Sequence, residues 1–481
     1  MKSFISEDDI EQAICNRLSL PEYGWKRIEC DARVEAQDDV STTGRANPSE
    51  CILPDVFLAA LKRLNPQVEE GVLQGILRNF RKDYTATDMV ETNYKLYNQL
   101  RNGIKKPVRK NGKEDFDIVR LIDFDHPERN DFHCVNQMWI KGHYRYRRPD
   151  VLLFVNGLPV VFIELKNSTV KVEESYNKNL TSYRKDIPNI FSFNQICVLS
   201  NGLQTKIGAW NSRYEFFFEW LRVDNEKEKL DREQIAEHGL SIQNLIDGLF
   251  RKDRLLDYIE NFIFFDNKRI KIIAKNHQYL GVNNLMKNVE RRDSLNGKLG
   301  VFWHTQGSGK SYSMVMFVRK VKRKLHGNFT FLVITDREDL DAQIHKTFVR
   351  SEVIGDKEEC QPKNSTQLRD FLRSNKPMVF TLIHSSSMTR PRNTLSCPTA
   401  MTSLSWWTRR TARSTSNLPR ICIRDFRMPT TSPLQVHRSW EVRDSPTNGL
   451  AITYRNTTSP KPSRTVALCH SSIADGYQKW A

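Results

Sequence analysis

The sequence has no apolar run of membrane-spanning length, no paired cysteine motif and, from residue 386 onward, almost no acid. A bilayer-crossing helix needs about 20 apolar residues, so the first absence argues against a membrane partner. The opening stretch MKSFISEDDIEQAI is acidic and lacks a continuous apolar core, which argues against a signal peptide. Nine cysteines (15, 30, 51, 134, 197, 360, 397, 422 and 469) stand singly, with no Cys-x-x-Cys and no histidines at zinc spacing. Such a set reads as reduced thiols, not as a disulfide framework or a cysteine metal site. A soluble, cytoplasmic chain is expected.

What is present is a chain of 481 residues, 39% apolar and 27% charged. That is too apolar for disorder and too long for one ordinary domain. Its 74 Lys and Arg against 57 Asp and Glu give +17, and a pI near 9.4 suits an acidic partner such as nucleic acid. The charge is unevenly spread. Residues 386–481 hold 14 basic groups against four acids, Asp425, Glu441, Asp444 and Asp475, a net +10. The first 385 residues carry only +7.

Ser6 is a plausible cap for an amphipathic helix over 5–20, with Ile10, Ile14 and Leu18 on one face. Helical patterns recur at 54–66 and 70–80, and charged, turn-rich sequence runs from 101 to 115. VLLFV (151–155) and PVVFIEL (159–165) flank Asn156-Gly157, a hairpin signal, and ICVLS (196–200) is a third strand. Residues 225–295 read as mostly helical. Strand-like LGVFW (299–303), a glycine turn, a helix from Ser311, then FTFLVIT (329–335) and PMVFTLIH (377–384) read as a parallel α/β sheet. Beyond His384 the periodicity fails.

Arg148-Pro149-Asp150, thirteen residues, then Glu164-Leu165-Lys166 forms a PD-x(n)-E-x-K pattern. In a strand Glu164 and Lys166 share a face. A two-residue turn would set Asp150 opposite Ile163, so a three-residue loop of Asn156, Gly157 and Leu158 is expected, which sets it opposite Glu164. Two facing carboxylates call for a cation, and an all-oxygen site suits Mg2+, held by Asp150, Glu164 and the Leu165 carbonyl. Lys166 would orient a water for phosphodiester hydrolysis. The bland alternative is a surface hairpin with a Glu/Lys pair. Asn179 and Tyr183, one helical turn apart, either face the same groove or lie on a solvated helix.

His304-Thr305-Gln306-Gly307-Ser308-Gly309-Lys310-Ser311 follows an apolar strand and opens a helix. The glycines let backbone N–H groups curl around phosphate, Lys310 reaches the β/γ-phosphates, and the Ser311 hydroxyl can ligate Mg2+. A helix N-terminus adds its dipole. Gln278, 32 residues before Lys310, could read an adenine edge with Tyr279 packed on the ring, or simply end a helix. ITDREDLDAQ (334–343) closes a strand with a polar cluster.

RPD…ELK, GLFRKDRLLDYIENFIFF, KNHQYLGVNNL, HTQGSGKS and VITDREDLDAQI, in this order over residues 1–385, resemble the restriction (R, HsdR) subunit of type I restriction–modification enzymes. The resemblance implies an α/β chain: a PD-(D/E)xK restriction-endonuclease-like domain, then a P-loop RecA-like lobe of superfamily 2 helicase type. The expected limits are 1–225 for the nuclease, 226–265 for a helical connection, 266–385 for a partial first lobe and 386–481 for a disordered tail. It further implies ATP-driven translocation and cleavage of unmethylated double-stranded DNA, beside modification and specificity subunits. Asp150, Glu164 and Lys166 match the family's nuclease core and Tyr183 its Gln-x-x-x-Tyr motif, in which Asn179 departs from glutamine. Gln278 matches the adenine-reading glutamine, Thr305 and Gly307 to Ser311 the phosphate loop, and Asp336 and Arg337 the next helicase motif.

The family's Asp-Glu-Ala-His box is missing after residue 385, and a motor without it should not turn over ATP productively. Trp406 and Trp407 are TGG codons and Thr408 is ACN. Read from the last base of the Ser405 codon, they force an apolar residue and then Val-Asp, and permitted codons continue Glu-Ala-His-Arg. In that frame, 433–438 permit Phe-Thr-Gly-Thr-Pro and 447–453 permit Lys-Trp-Phe-Gly-Asp-Tyr. A frameshift near Ser385 to Ser387 is therefore expected, leaving a truncated motor. The alternatives are a stand-alone Mg2+ nuclease and an inert nucleotide- or DNA-binding fragment.

Overall fold

A computed structural model describes residues 5–36, 40–110, 113–228, 241–295, 297–302, 304–305, 307–355, 358–374 and 376–382. The segments 402–409, 420–427, 438–444 and 450–456 are described as backbone strands. Two compact units result: residues 1–287, 307–325 and 346–356 form the first, and 288–306, 326–345 and 357–481 the second. Residues 226–287 thus group with the N-terminal region.

Helix α1 (Glu7–Ser19) opens the first unit with a reciprocal cap, in which Ser6 Oγ accepts from the Asp9 amide and Asp9 accepts from the Ser6 amide. Ile10, Ile14 and Leu18 recur every four residues and are buried. The unit's sheet has seven strands in the order β1 (Lys26–Glu29), β4 (Phe132–Asn136), β7 (Val151–Val155), β8 (Leu158–Leu165), β9 (Ile196–Ser200), β10 (Thr205–Gly208) and β11 (Phe218–Glu219). It is mixed: β1 with β4 and β8 with β9 run parallel, the other neighbours antiparallel. Strands β7 and β8 are buried along their whole length, as continuous apolar runs are when both faces are covered.

The β7–β8 connection corrects the expected three-residue loop. Asn156 and Gly157 alone form the turn, both at positive φ (50° and 78°), the combination that suits a tight hairpin. The register starts at Val155↔Leu158, then slips by one residue before Leu153↔Val161 and ends at Val151↔Ile163. Pro159, which has no N–H for the ladder, sits at that bulge. Continuing by one residue sets Asp150 against Glu164, the expected pairing reached by a different route.

Two further hairpins stand where turns or helix were expected. Strands β2 (Ile104–Lys110) and β3 (Lys113–Val119) pair across the charged stretch, whose lysines and acids hide its extended character. Strands β12 (Ile263–Asp266) and β13 (Ile270–Ile273) replace the end of a predicted helix, because the aromatic run favours strand and Asn267 and Lys268 take the positive φ of a turn.

In the second unit the strand order is β14 (Lys298–Phe302), β18 (Arg420–Arg427), β17 (Thr402–Arg409), β15 (Phe329–Thr335) and β16 (Met378–Leu382). Strand β15 runs parallel to β16 and β17, as the alternation predicts, but β18 is antiparallel to both its neighbours. Strands β17 and β18, with the pair Arg438–Asp444 and Leu450–Asn456, correct the expectation of a tail without regular structure. Their Trp406-Trp407 and Ile421-Cys422-Ile423 runs are of strand-forming type. Among the described residues, no helix is long and apolar enough to cross a membrane, and Cys15, Cys30, Cys51, Cys134, Cys197 and Cys360 are buried thiols outside any disulfide.

Candidate active site

Strand β8 delivers Glu164 and Lys166 to the end of the sheet, and the bulge brings Asp150 beside them. Asp150 accepts the Leu165 amide through Oδ2 at 2.7 Å, and its own carbonyl accepts from Gln137 N at 3.0 Å. Lys166 Nζ lies 3.5 Å from Glu164 Oε1 and donates to the Leu165 carbonyl at 2.6 Å. That carbonyl is the oxygen assigned above to the metal, so in this structure the lysine occupies it.

Asn179 and Tyr183 both reach the acids. A π-helical stretch, Ser175–Leu180, widens the helix just before Thr181–Asp186, a distortion that often marks functional sites. The Asn179 amide donates to Glu164 Oε1, and the Tyr183 hydroxyl donates to the Arg148 carbonyl at 3.0 Å. The solvated-helix alternative is overturned for this pair: Tyr183 is buried, and burial, with the Glu164 charge next, pushes its phenol well above the usual range.

Two acids escaped the sequence reading. Glu7 and Glu11 sit one turn apart on α1. Glu7 Oε1 is 3.5 Å from Lys166 Nζ, while Glu11 is buried and accepts from Asn136 Nδ2 at 2.8 Å and from the Gln137 amide. The available signal was an acid between Ile10 and Ile14 on the apolar side of a capped helix.

The electrostatics describe a cleft short of positive charge. Burial, and next the Asp150 charge, hold Glu164 well above its ordinary value. Burial pushes Asp150 up to about 7, with Glu11 and Glu7 adding to the rise while the Leu165 amide and Lys166 oppose it. Burial also raises Glu11. Glu164 Oε2 is buried with no hydrogen-bond partner. An unpartnered carboxylate oxygen beside a second acid fits a divalent cation. Among the described residues, no group of three or more His, Cys, Asp or Glu side chains forms a metal cluster, so Asp150 and Glu164 would supply two ligands. Water and substrate oxygens would complete the shell, as Mg2+ commonly requires.

This geometry belongs to a region with known counterparts. Residues 4–216 match the family described as type I restriction enzyme R protein N terminus. A relative from Haemophilus influenzae, the type I restriction enzyme HindI endonuclease subunit, is 34% identical over 383 residues, 77% of this chain and 35% of its own length. The chain carries the N-terminal region of a type I restriction enzyme R protein. A second relative, the putative type I restriction enzyme MjaIXP endonuclease subunit of Methanocaldococcus jannaschii, is 32% identical over 332 residues, 63% of this chain and 31% of its own length. The chain therefore spans about a third of the length of these curated relatives. Residues 277–408 match a second family, SWI2/SNF2 ATPase.

Within that second match lies the glycine loop. Gly307 and Gly309 take φ of 79° and 87°, and the helix Lys310–Lys324 starts directly behind them, its first residue bearing the ammonium. Partial burial lowers the Lys310 pKa. Ser308 Oγ is buried without a hydrogen-bond partner. Ser311 is half-buried in the first turn and Thr305 is exposed.

Gln278 is placed differently from the adenine-reading expectation. Its Nε2 donates to the Gly309 carbonyl at 2.9 Å and its Oε1 accepts from Lys275 N at 2.8 Å, so its amide braces the loop. His277 Nε2 lies 3.2 Å from the Ser308 carbonyl. Tyr279 is corrected outright as a ring platform. It is buried against Trp220, Tyr258 and Phe262, the last at 4.7 Å, because an aromatic core outcompetes exposure at a helix end. Asp336, which follows β15, has one buried carboxylate oxygen without a hydrogen-bond partner.

Proposed function

We propose that this chain supplies the nuclease and nucleotide-binding portion of a type I restriction endonuclease, cutting double-stranded DNA in a Mg2+-dependent reaction. The observation that carries the reading is the convergence of Asp150, Glu164, Lys166, Asn179 and Tyr183 on one end of the β7–β8 hairpin. Asp150 and Glu164 would hold Mg2+, which when bound polarises the scissile phosphate and lowers the pKa of the attacking water.

The chain's own groups divide the remaining work. Lys166, released from the Leu165 carbonyl, orients the water and offsets charge developing on the phosphate. Asn179 fixes one oxygen of Glu164 and leaves Oε2 free for the cation. Tyr183 ties the Arg148 carbonyl, and with it the approach to Asp150, to the helix. Gly307 to Ser311 would cradle the phosphates of ATP, with Lys310 on the β/γ-phosphates and Ser311 near their Mg2+.

The resemblance and the restriction-enzyme relatives support unmethylated DNA as the target and modification and specificity subunits as partners. Residues beyond about 385 are read as out of frame, so ATP binds without productive turnover. The second family match runs past that point to residue 408, and the strand Thr402–Arg409 lies beyond it. Sequencing the DNA across codons 380–410 decides it, and an intact frame at Ser385 removes the frameshift. The nuclease is tested by plasmid nicking with the purified full chain and Mg2+. Nicking that persists in Asp150→Ala ends the assignment.

A further inference from the structure

The approach to Asp150 carries a feature that neither motif explains. Strands β5 (Ile140–Lys141) and β6 (Tyr146–Arg147) form a small antiparallel hairpin, with Ile140↔Arg147 and Lys141↔Tyr146 in register. Its tip is Gly142-His143-Tyr144-Arg145.

The base of this hairpin is clamped. Lys141 N donates to the Pro48 carbonyl at 2.9 Å, and Gly142 N to the Arg145 carbonyl at 2.8 Å. Arg147 Nε donates to Asp186 at 2.7 Å, and the Arg148 guanidinium lies 5.2 Å over the Trp139 ring. Gly142 packs so closely that an added Cβ would fall 1.7 Å from the Asp186 carbonyl. Ile140 is buried.

The tip is the opposite. Tyr144 is 90% exposed, the highest value among the exposed large hydrophobic side chains of the described residues. His143 and Arg145 are exposed beside it, with the His143 ring edge-on to Tyr144 at 4.3 Å. The Arg145 side chain makes no ion pair or hydrogen bond to the described residues, and the exposed Lys141 ammonium meets only the Tyr146 ring at 5.7 Å. Residues 141–148 contain four basic side chains and no acid. A solvent-facing aromatic flanked by cations that make no ion pair with the described residues, on a base held at several points, is suited to a polyanion with apolar faces between its charges.

The hairpin also leads directly to the acids. Arg148, whose carbonyl accepts from the Tyr183 hydroxyl, lies two residues before Asp150. Arg145 lies five residues before Asp150, so the chain between them reaches at most about 17 Å. That is roughly five steps of a DNA strand.

We propose that this hairpin tip grips the DNA next to the scissile phosphate, Lys141 and Arg145 on backbone phosphates and Tyr144 against sugar and base faces. The inference rests on the nuclease reading of the Asp150 cleft and adds to it the element that positions the strand. Because the base is rigid and the tip exposed, Tyr144→Ala should leave the fold intact.

The test uses the full chain and a fluorescein-labelled duplex, with Ca2+ replacing Mg2+ so that binding is read without cleavage. Tyr144→Ala should weaken binding roughly 5- to 100-fold with an unchanged melting temperature. Combining Lys141→Ala with Arg145→Ala should flatten the salt dependence of binding by about two counterions. A benzophenone amino acid at position 144 should crosslink to DNA within about five nucleotides of the nick. Unchanged affinity and salt slope overturn the proposal, as does crosslinking to another protein chain in place of DNA. The two readings fail separately. If Asp150→Ala abolishes nicking while Tyr144→Ala changes nothing, the nuclease stands and the grip falls; if no protein nicks but Tyr144→Ala still loses affinity, DNA binding by the tip stands while the nuclease and the tip's place beside a scissile phosphate fall.

Discussion

The carboxylate cleft proposed for a cation and the glycine loop proposed for phosphate are built from opposite materials. The cleft uses side chains from separated stretches, Glu11 on α1, Asp150, Glu164 with Lys166, and Asn179 with Tyr183. The loop uses consecutive residues whose backbone, at Gly307 and Gly309, does most of the shaping. The cleft carries acids whose pKa burial raises. The loop holds a single half-buried cation in its first helical turn. A side-chain site therefore depends on long-range packing, whereas a backbone site depends on local conformation.

The strongest way to sharpen that contrast is to remove one acid. Asp150→Ala or Glu164→Ala should reduce plasmid nicking by on the order of 1000-fold or more, because a divalent cation supplies several kcal/mol of charge stabilisation. DNA binding measured in Ca2+-free buffer should persist. Lys310→Ala should weaken binding of a fluorescent ATP analogue by roughly 10- to 100-fold through loss of charge-assisted hydrogen bonds, and leave nucleotide-free nicking as it was. If the lysine variant also stops nicking, the two sites are one functional unit and the comparison breaks.

Glu11→Gln probes the part of the cleft that no motif announces. Removing one negative neighbour of Asp150 should raise the Mg2+ concentration needed for half-maximal nicking by about 10- to 100-fold, the usual effect of a group supporting a metal ligand. An unchanged Mg2+ titration would reduce Glu11 to a helix–sheet contact through Asn136 and Gln137.

These residues also show where the sequence was legible. The capped α1, strands β7, β8, β9, β15 and β16, and the glycine loop all follow from local pattern. Asp150 facing Glu164 was readable as a requirement, yet the bulge at Pro159 that satisfies it was not, since turn and slip give the same net register as a longer loop. Glu11 was hidden because it is contributed by an element far away in sequence. Tyr279 was misread because ring burial against Trp220 and Phe262 is a tertiary outcome. The β12–β13 hairpin was lost because a short apolar run following a helix carries no period of its own.

The smallest expected effect is on stability, and its sign separates the two sites once more. Burial pushes Asp150 from its ordinary 3.8 up to about 7 in the folded chain, so between those values the native state holds a proton that the unfolded state has released. Stability of the metal-free protein should therefore fall as pH rises from about 4 to about 7, then level off. The cause is burial among acids, so Asp150→Asn should flatten this slope and raise the metal-free melting temperature at pH 8 by a few degrees, on the order of 1–3 kcal/mol. Adding Mg2+ at pH 8 should stabilise the parent chain and leave the asparagine variant nearly unmoved. Lys310 gives the opposite sign, since burial lowers its pKa, and its variant should leave the slope from pH 4 to 7 untouched. Thermal melts across that range, with and without Mg2+, check both statements, and a slope unchanged in Asp150→Asn would move the strain from this carboxylate to Glu164.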